Sequence, residues 1–258
     1  MDDKWDIPRC IRALVRLLRA LLKTIPDEIK QMGHPIYIVA KSLKLLQQRG
    51  SEELAFQMLG SLVEFLEYDM LEPLFMEIWP AINSRLERRL KDLEVDPCKF
   101  LKHLTLFISL VVIKYSPAGL VVTMNAIQSN LFAHIFESAW VCGLRTIKGV
   151  REAKLASVAA TMQLCEPSML LDNGASWGKL LDSTLSMLFS VGAWCQEDVK
   201  FELIRHSSDL ASISDNILQY AEMSADDLLG DIVDPKKFLV MSLLKLSAQH
   251  IGRMGPAI

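Results

Sequence analysis

The feature that most constrains this chain is an apolar pattern with the period of an α-helix, restarted repeatedly along the sequence. In the first segment Ile11, Leu14, Leu18, Leu21, Leu22 and Ile25 recur at spacings of three and four, while Arg9, Arg12, Arg16, Arg19 and Lys23 occupy the complementary face. At 3.6 residues per turn these spacings collect one apolar stripe, the mark of an amphipathic helix. Residues 98–115 repeat the pattern with Leu101, Leu104, Phe107, Ile108, Val111 and Tyr115. Phe107–Ile113 alone has the composition of a buried strand, but the length and unbroken helical spacing decide for helix.

Punctuation divides the pattern. Asp96-Pro97, Ser116-Pro117 and Asp234-Pro235 each place a capping side chain before a proline at a first helical position. A missing N–H costs nothing there, and the preceding oxygen accepts an orphan donor. Ser51-Glu52-Glu53 sets carboxylates near the positive end of a helix dipole. Arg49-Gly50 and Lys148-Gly149 read as stops, with glycine in the left-handed turn. The predicted helices run over 8–24, 34–49, 51–67, 70–91, 97–115, 117–147 with a break near Ser129, 150–165, 176–190 and 234–252. They pair, and the first members start near residues 8, 51, 97 and 150, which gives intervals of 43, 46 and 53. Two-helix HEAT-type repeats recur every ~40–47 residues. The expected fold is therefore all-α, an α-α superhelix: a HEAT-repeat solenoid of antiparallel helix pairs with a concave face for partners. Residues 1–195 form the repeats, 196–233 an acidic, partly ordered insertion, and 234–258 a terminal helix packing on the solenoid.

Composition narrows the function classes. The chain is 51% apolar and 23% charged, with a formal charge of −3, so it can bury a core and presents no overall basic field for nucleic acid. Its five cysteines (Cys10, Cys98, Cys142, Cys165, Cys195) are scattered without C-x-x-C spacing, which predicts reduced thiols rather than a disulfide frame or a zinc site. Arginines interrupt the first apolar stretch, so no signal peptide is expected. The longest uncharged run, Tyr115–Phe136, contains Pro117, Asn125, Gln128, Ser129 and Asn130. Lipid would leave such groups unsatisfied, which predicts a soluble chain without membrane insertion.

One motif suggests chemistry. Gly174-Ala175-Ser176-Trp177-Gly178 matches G-x-S-x-G, a nucleophile elbow that requires a strand before it and a helix after it. No strand series surrounds it, so the expected role of Ser176 is to cap the next helix, with Trp177, Leu180, Leu181, Thr184 and Leu188 facing the core. The histidines His34, His103, His134, His206 and His250 lack metal-ligand spacing. No enzyme, metal or cofactor is expected. Two basic features remain, the Arg9–Lys23 stripe and the Arg85, Arg88, Arg89, Lys91 cluster. An acidic protein partner and a merely solvated face both account for them. Gln196–Asp234 holds ten acids against Lys200 and Arg205, and reads equally as a partner-binding insertion or a solvated connector.

Several runs, colinear across nearly the whole chain, carry a family resemblance. They are Ile11-Arg12-Ala13-Leu14-Val15-Arg16-Leu17-Leu18, then Lys99-Phe100-Leu101-Lys102 leading to Ile113-Lys114-Tyr115, then Ala126-Ile127-Gln128 with Leu131-Phe132. Lys148-Gly149-Val150-Arg151-Glu152-Ala153-Lys154 follows, and Asp234-Pro235-Lys236-Lys237 through Leu244-Lys245-Leu246-Ser247 to Gly252-Arg253 closes the series. In these runs the chain resembles the C-terminal region of the exportin-2, or cellular apoptosis susceptibility, family of the karyopherin-beta superfamily. Residues 168–230 match that pattern poorly. The resemblance implies HEAT repeats, no catalysis, shuttling between nucleus and cytoplasm, and export of importin-alpha in a complex with Ran-GTP. Family members are several times longer, with their principal Ran-GTP grip in N-terminal repeats. The implied partner of this region is thus importin-alpha, with Ran-GTP weak or indirect. Helix placement, rather than the resemblance, puts the expected partner-binding side chains on the concave second helices, Lys41, Lys44, Arg85, Arg88 and Arg89, with Asp226 and Asp227 in the acidic insertion. A HEAT-repeat interaction scaffold outside nuclear transport is the alternative.

Overall fold

The computed structural model describes residues 8–92, 97–172, 174–191, 229 and 231–249. Along the chain run α1 (Pro8–Thr24), α2 (Pro26–Gln31), α3 (His34–Gln47), α4 (Glu52–Phe65), α5 (Tyr68–Lys91), α6 (Cys98–Tyr115) and α7 (Pro117–Ile127). After these come α8 (Leu131–Ile135), a π-helical turn (Phe136–Trp140), α9 (Val141–Leu144), α10 (Val150–Leu164), α11 (Pro167–Asp172), α12 (Gly174–Ser190) and α13 (Pro235–Gln249). No strand occurs among the described residues.

Two layers result. The first sets α1, α4, α6, α10 and α13 side by side, and the second holds α3, α5, the α7–α9 segment and α12. Cross-links fix the direction of each neighbour. Arg19 near the end of α1 pairs with Glu64 near the end of α4, and Lys102 early in α6 pairs with Glu152 early in α10, both at 2.9 Å. α1 with α4, and α6 with α10, therefore run parallel, as stacked repeats require. In the second layer Arg88 of α5 donates to Gln47 of α3, both in C-terminal turns, so these two are parallel as well.

The core lies between the layers and is continuous from repeat to repeat. Phe56 of α4 meets Phe100 and Phe107 of α6 at 5.6 and 5.8 Å, and Trp79 of α5 meets Phe107 at 5.5 Å. Aromatic pairs at such separations add ~0.5–1.5 kcal/mol each to their burial. Tyr115 closes the seam. Its hydroxyl donates to the Leu66 and Val63 carbonyls at 2.8 and 3.1 Å, satisfying orphan acceptors at the end of α4. Burial, with Glu67 nearby, raises this phenol above its ordinary value. Tyr115→Phe is expected to cost about 1–2 kcal/mol, since a buried carbonyl loses its donor. Urea unfolding followed by circular dichroism measures it, and an unchanged midpoint would contradict the cap.

The helix signals were met unevenly. Gly50 takes a left-handed φ of 86°, Ser116 Oγ accepts from Gly119 N at 3.3 Å, and Asp234 Oδ1 accepts from Lys236 N at 2.8 Å. Asp96 lies outside the described residues. Gly149 corrects its reading as a stop. It is extended, φ −75° and ψ 137°, and leads into α10, while α9 has already ended at Leu144. The long 117–147 helix is broken at Asn130, whose φ of 63° turns the chain between α7 and α8. No single helix among the described residues is long and apolar enough to cross a membrane; α6 and α7 meet at 115°.

Candidate partner-binding surface

The second-layer helices turn one face toward the first layer and the other outward. On α3 the buried positions are Pro35, Val39, Ser42, Leu45 and Leu46, leaving Tyr37, Ala40 and Lys44 exposed. On α5 the inward stripe runs through Leu71, Phe75, Ile78, Ile82, Arg85 and Arg89. Pro73 and Pro80 lie on the opposite, exposed face, where water can satisfy the carbonyls that a proline leaves without a donor.

The expected site residues thus separate. Lys44 and Arg88 are exposed, and Lys41 is half-buried. Arg85 and Arg89 are each only 8% exposed. Arg85 reaches Glu52 Oε1 at 2.5 Å, Arg89 donates to the same oxygen, and Glu52 Oε2 accepts from Gly50 N at 2.8 Å. Burial alone would raise the Glu52 carboxyl. The hydrogen bonds from Arg85, from its own backbone amide, from Arg89 and from the Gly50 amide outweigh it and hold the group below its ordinary value. One carboxylate thus serves two guanidiniums, whose Nε–H groups are buried without an acceptor. The α4 start read as a dipole match is an internal ion cluster joining α4 to α5. Asp226 and Asp227 lie outside the described residues.

The arginine stripe of α1 is also partly committed. Arg19 is spent on Glu64, Arg12 is exposed, and Arg16 is half-buried. Ser176 differs from its expected capping role. It is the third residue of α12, is buried, and donates to Glu137 Oε1 at 3.1 Å, with Lys179 Nζ 3.4 Å from the same oxygen. A helix, α11, precedes the G-x-S-x-G run where an elbow needs a strand. Trp177 donates to the Leu164 carbonyl at 2.9 Å and closes the end of α10. Among the described residues no group of three or more His, Cys, Asp or Glu side chains could hold a metal ion. Burial pushes the His103 imidazole below its usual value; Lys102 adds to this and Glu53, Glu152 and Glu52 oppose it. An open cleft of about 630 Å³ at Glu67, Tyr68, Lys114 and Ser116 carries one acid and one base, so it favours ligands of neither charge.

What sequence reasoning missed is apolar. Ile36 and Tyr37 of α3 are 60% and 70% exposed, and Met76 of the neighbouring α5 is 51% exposed. Their helical phase, off the buried stripe, is the signal that could have found them. The surface is therefore a second-layer face with exposed apolar side chains toward one end and cations toward the other, braced by the buried Glu52 cluster.

Comparison with known proteins gives a consistent set of relatives. The family model described as CAS/CSE protein, C-terminus matches residues 1–258. Exportin-2 of Homo sapiens and that of Bos taurus are each 26% identical to the chain over 260 residues. The alignment covers 97% of this chain and 26% of each relative. Exportin-2 of Dictyostelium discoideum is 31% identical over 164 residues, 64% of this chain and 16% of the relative. The chain thus spans about a quarter of the length of the mammalian relatives. Among solved structures, the exportin Cse1 in its cargo-free, cytoplasmic state superposes with a TM-score of 0.67 at 21% identity, over 96% of this chain and 24% of that one. The shared fold is a HEAT-repeat helical solenoid.

Proposed function

Because this chain belongs to the CAS/CSE family, we propose that it supplies the C-terminal arch of a nuclear export receptor, clasping importin-alpha for passage from nucleus to cytoplasm. The observation that carries this reading is the family match across all 258 residues. Its relatives bear the name exportin. The work assigned to the chain is binding, not catalysis. Importin-alpha is the direct partner, and Ran-GTP engages weakly or through it. Localisation follows the cycle, shuttling between the two compartments. The side chains assigned to contact are Lys44 and Arg88, exposed on the second layer, with Lys41 beside them; Arg85 and Arg89 support that face through Glu52. Asp226 and Asp227 are assigned to a second contact.

Pull-down of importin-alpha and of Ran-GTP tests the reading, with the chain alone and with the chain joined to an N-terminal exportin half. The expected result is importin-alpha retained by the chain alone and both proteins retained by the joined form. Absence of binding in both formats would overturn it.

A further inference from the structure

The outermost first-layer helix among the described residues is α13, and it turns an apolar stripe outward. It packs on α10 through its buried side, which holds Pro235, Leu239 and Leu246. On the opposite side Lys237, Val240, Met241, Leu244, Lys245 and Ala248 are all exposed, at the three- and four-residue spacing of one helical face. Val240, Met241 and Leu244 are each more than half exposed. Phe189, near the end of α12, adds an exposed ring at the start of α13, where Lys236 Nζ stands 5.4 Å from its centroid. An apolar stripe of this length in water marks a face that something covers. The outer helix of a solenoid in particular needs a polar cover.

Charge and chain length select the cover. α13 contains Lys236, Lys237 and Lys245 and no acid. Residues 192–228, which join Val191 at the end of α12 to Leu229, carry eight acids against Lys200 and Arg205. Both ends of this segment lie at the start of α13. Phe189 is beside Lys236, and the buried Leu229 accepts from Ile232 N at 2.8 Å, just before Pro235. At ~1.5 Å per residue the 15 residues of α13 are about 22 Å long. The joining segment has more than twice as many residues, enough to run the length of α13 and come back. Residues 250–258, which follow α13, hold His250 and Arg253 and no acid, so their charge repeats that of the helix. A second copy of α13 would likewise set lysine against lysine.

The segment's sequence also carries a matching stripe. Leu210, Ile213, Ile217 and Tyr220 recur at three, four and three residues, the period of one helical face. At helical rise they extend over about 15 Å, against about 16 Å from Lys237 to Ala248. In the same phase Asp215, Glu222 and Asp226 fall on the far side, and Asp209 falls beside the stripe.

We propose that residues 192–228 seat this stripe along Val240, Met241 and Leu244 of α13, with the lysines of α13 meeting the segment's acidic flank and its remaining acids turned to water. The seat is internal to the chain and goes beyond the export-receptor reading, on which it does not rest.

Photo-crosslinking of the full chain tests this. With p-benzoylphenylalanine placed at Met241, irradiation is expected to join it to a peptide from within 192–228 of the same chain, identified by mass spectrometry after digestion. Mixing isotope-labelled and unlabelled chains separates joints within one chain from joints between two. Ile213→Asp with Ile217→Asp should lower the yield by about tenfold or more, since the segment's central apolar contacts are removed. The same probe at Val122 of α7 should give no such product; both probe positions are exposed, so no core side chain is displaced. A product on residues 250–258, a product between two chains, or no product at Met241 would overturn the seat. A yield that the isoleucine substitutions leave unchanged, or a Val122 product on the same segment, would do so as well. None of these readouts uses importin-alpha, so failure of the seat and failure of the export-receptor reading are told apart.

Discussion

Glu52→Ala is expected to lower the free energy of unfolding by about 3–5 kcal/mol, because it leaves two buried guanidiniums facing each other with no anion. The charges cannot escape by deprotonation, since arginine stays protonated in proteins. Neither can they reach water cheaply, with Arg85 and Arg89 at 8% exposure and their Nε–H groups already without acceptors. The Gly50 amide would lose its acceptor as well. A triple variant, Glu52→Ala with Arg85→Met and Arg89→Leu, should recover most of the loss, since removing a whole buried ion cluster is often neutral. Urea unfolding of wild type, Glu52→Ala and the triple variant reads this directly, and a Glu52→Ala chain as stable as wild type would refute the cluster. The pH dependence has a definite sign. The folded-state carboxyl of Glu52 is held below its ordinary value, so its contribution is complete above the unfolded pKa. It is lost as pH falls through the folded pKa, and Glu52→Gln should therefore flatten the acid limb of the stability profile.

This cluster also shows where sequence reading stopped. The pattern on α5 was visible: Leu71, Phe75, Ile78 and Ile82 advance by four, three and four residues. Continuing that phase places Arg85 and Arg89 on the same inward stripe, yet their charge suggested a solvated or partner-binding face. Helical phase outweighs residue type when a buried partner exists, and the partner, Glu52, is 33 residues away from Arg85. Nothing local in Ser51-Glu52-Glu53 distinguishes a dipole match from an ion-cluster anchor. Arg88, one position off the stripe, remains exposed as its phase demands.

Helices long enough to show several turns of periodicity were legible to within a few residues: α6 was expected at 97–115 and runs Cys98–Tyr115. The short helices were not. Pro26-Asp27-Glu28 opens α2 with a proline at its first position and two acids in its first turn, a readable start, but six residues give too few apolar positions to establish a period. Pro167 opens α11 in the same way. The exposed Ile36, Tyr37 and Met76 escaped for a different reason. They are ordinary core residue types, and only their helical phase, off the buried stripes of α3 and α5, sets them outward.

Gly143→Ala is the other substitution with a large expected effect, about 3 kcal/mol or more. A Cβ at Gly143 would overlap Thr105 Oγ1 outright and lie 2.8 Å from the Leu101 carbonyl oxygen. Thr105 is fully buried and could yield only by changing rotamer, whereas the carbonyl belongs to the hydrogen-bonded backbone of α6. Overpacking in a dense core costs ~1–3 kcal/mol when side chains can shift, and more when backbone must. The π-helical turn at Phe136–Trp140 explains why glycine is required here. One extra residue in that turn advances the phase of α9, so that Ala139, Trp140 and Leu144 are buried while Gly143 meets α6 at close range. Thr105→Ala in the same chain should restore only part of the stability, because the clash with the Leu101 carbonyl remains. Repeats couple chiefly to their neighbours, so the damage should concentrate in α6–α12. Hydrogen exchange in Gly143→Ala is expected to accelerate there while amides of α3 and α5 keep more of their protection. Uniform acceleration along the chain would show that the stack unfolds as one unit instead.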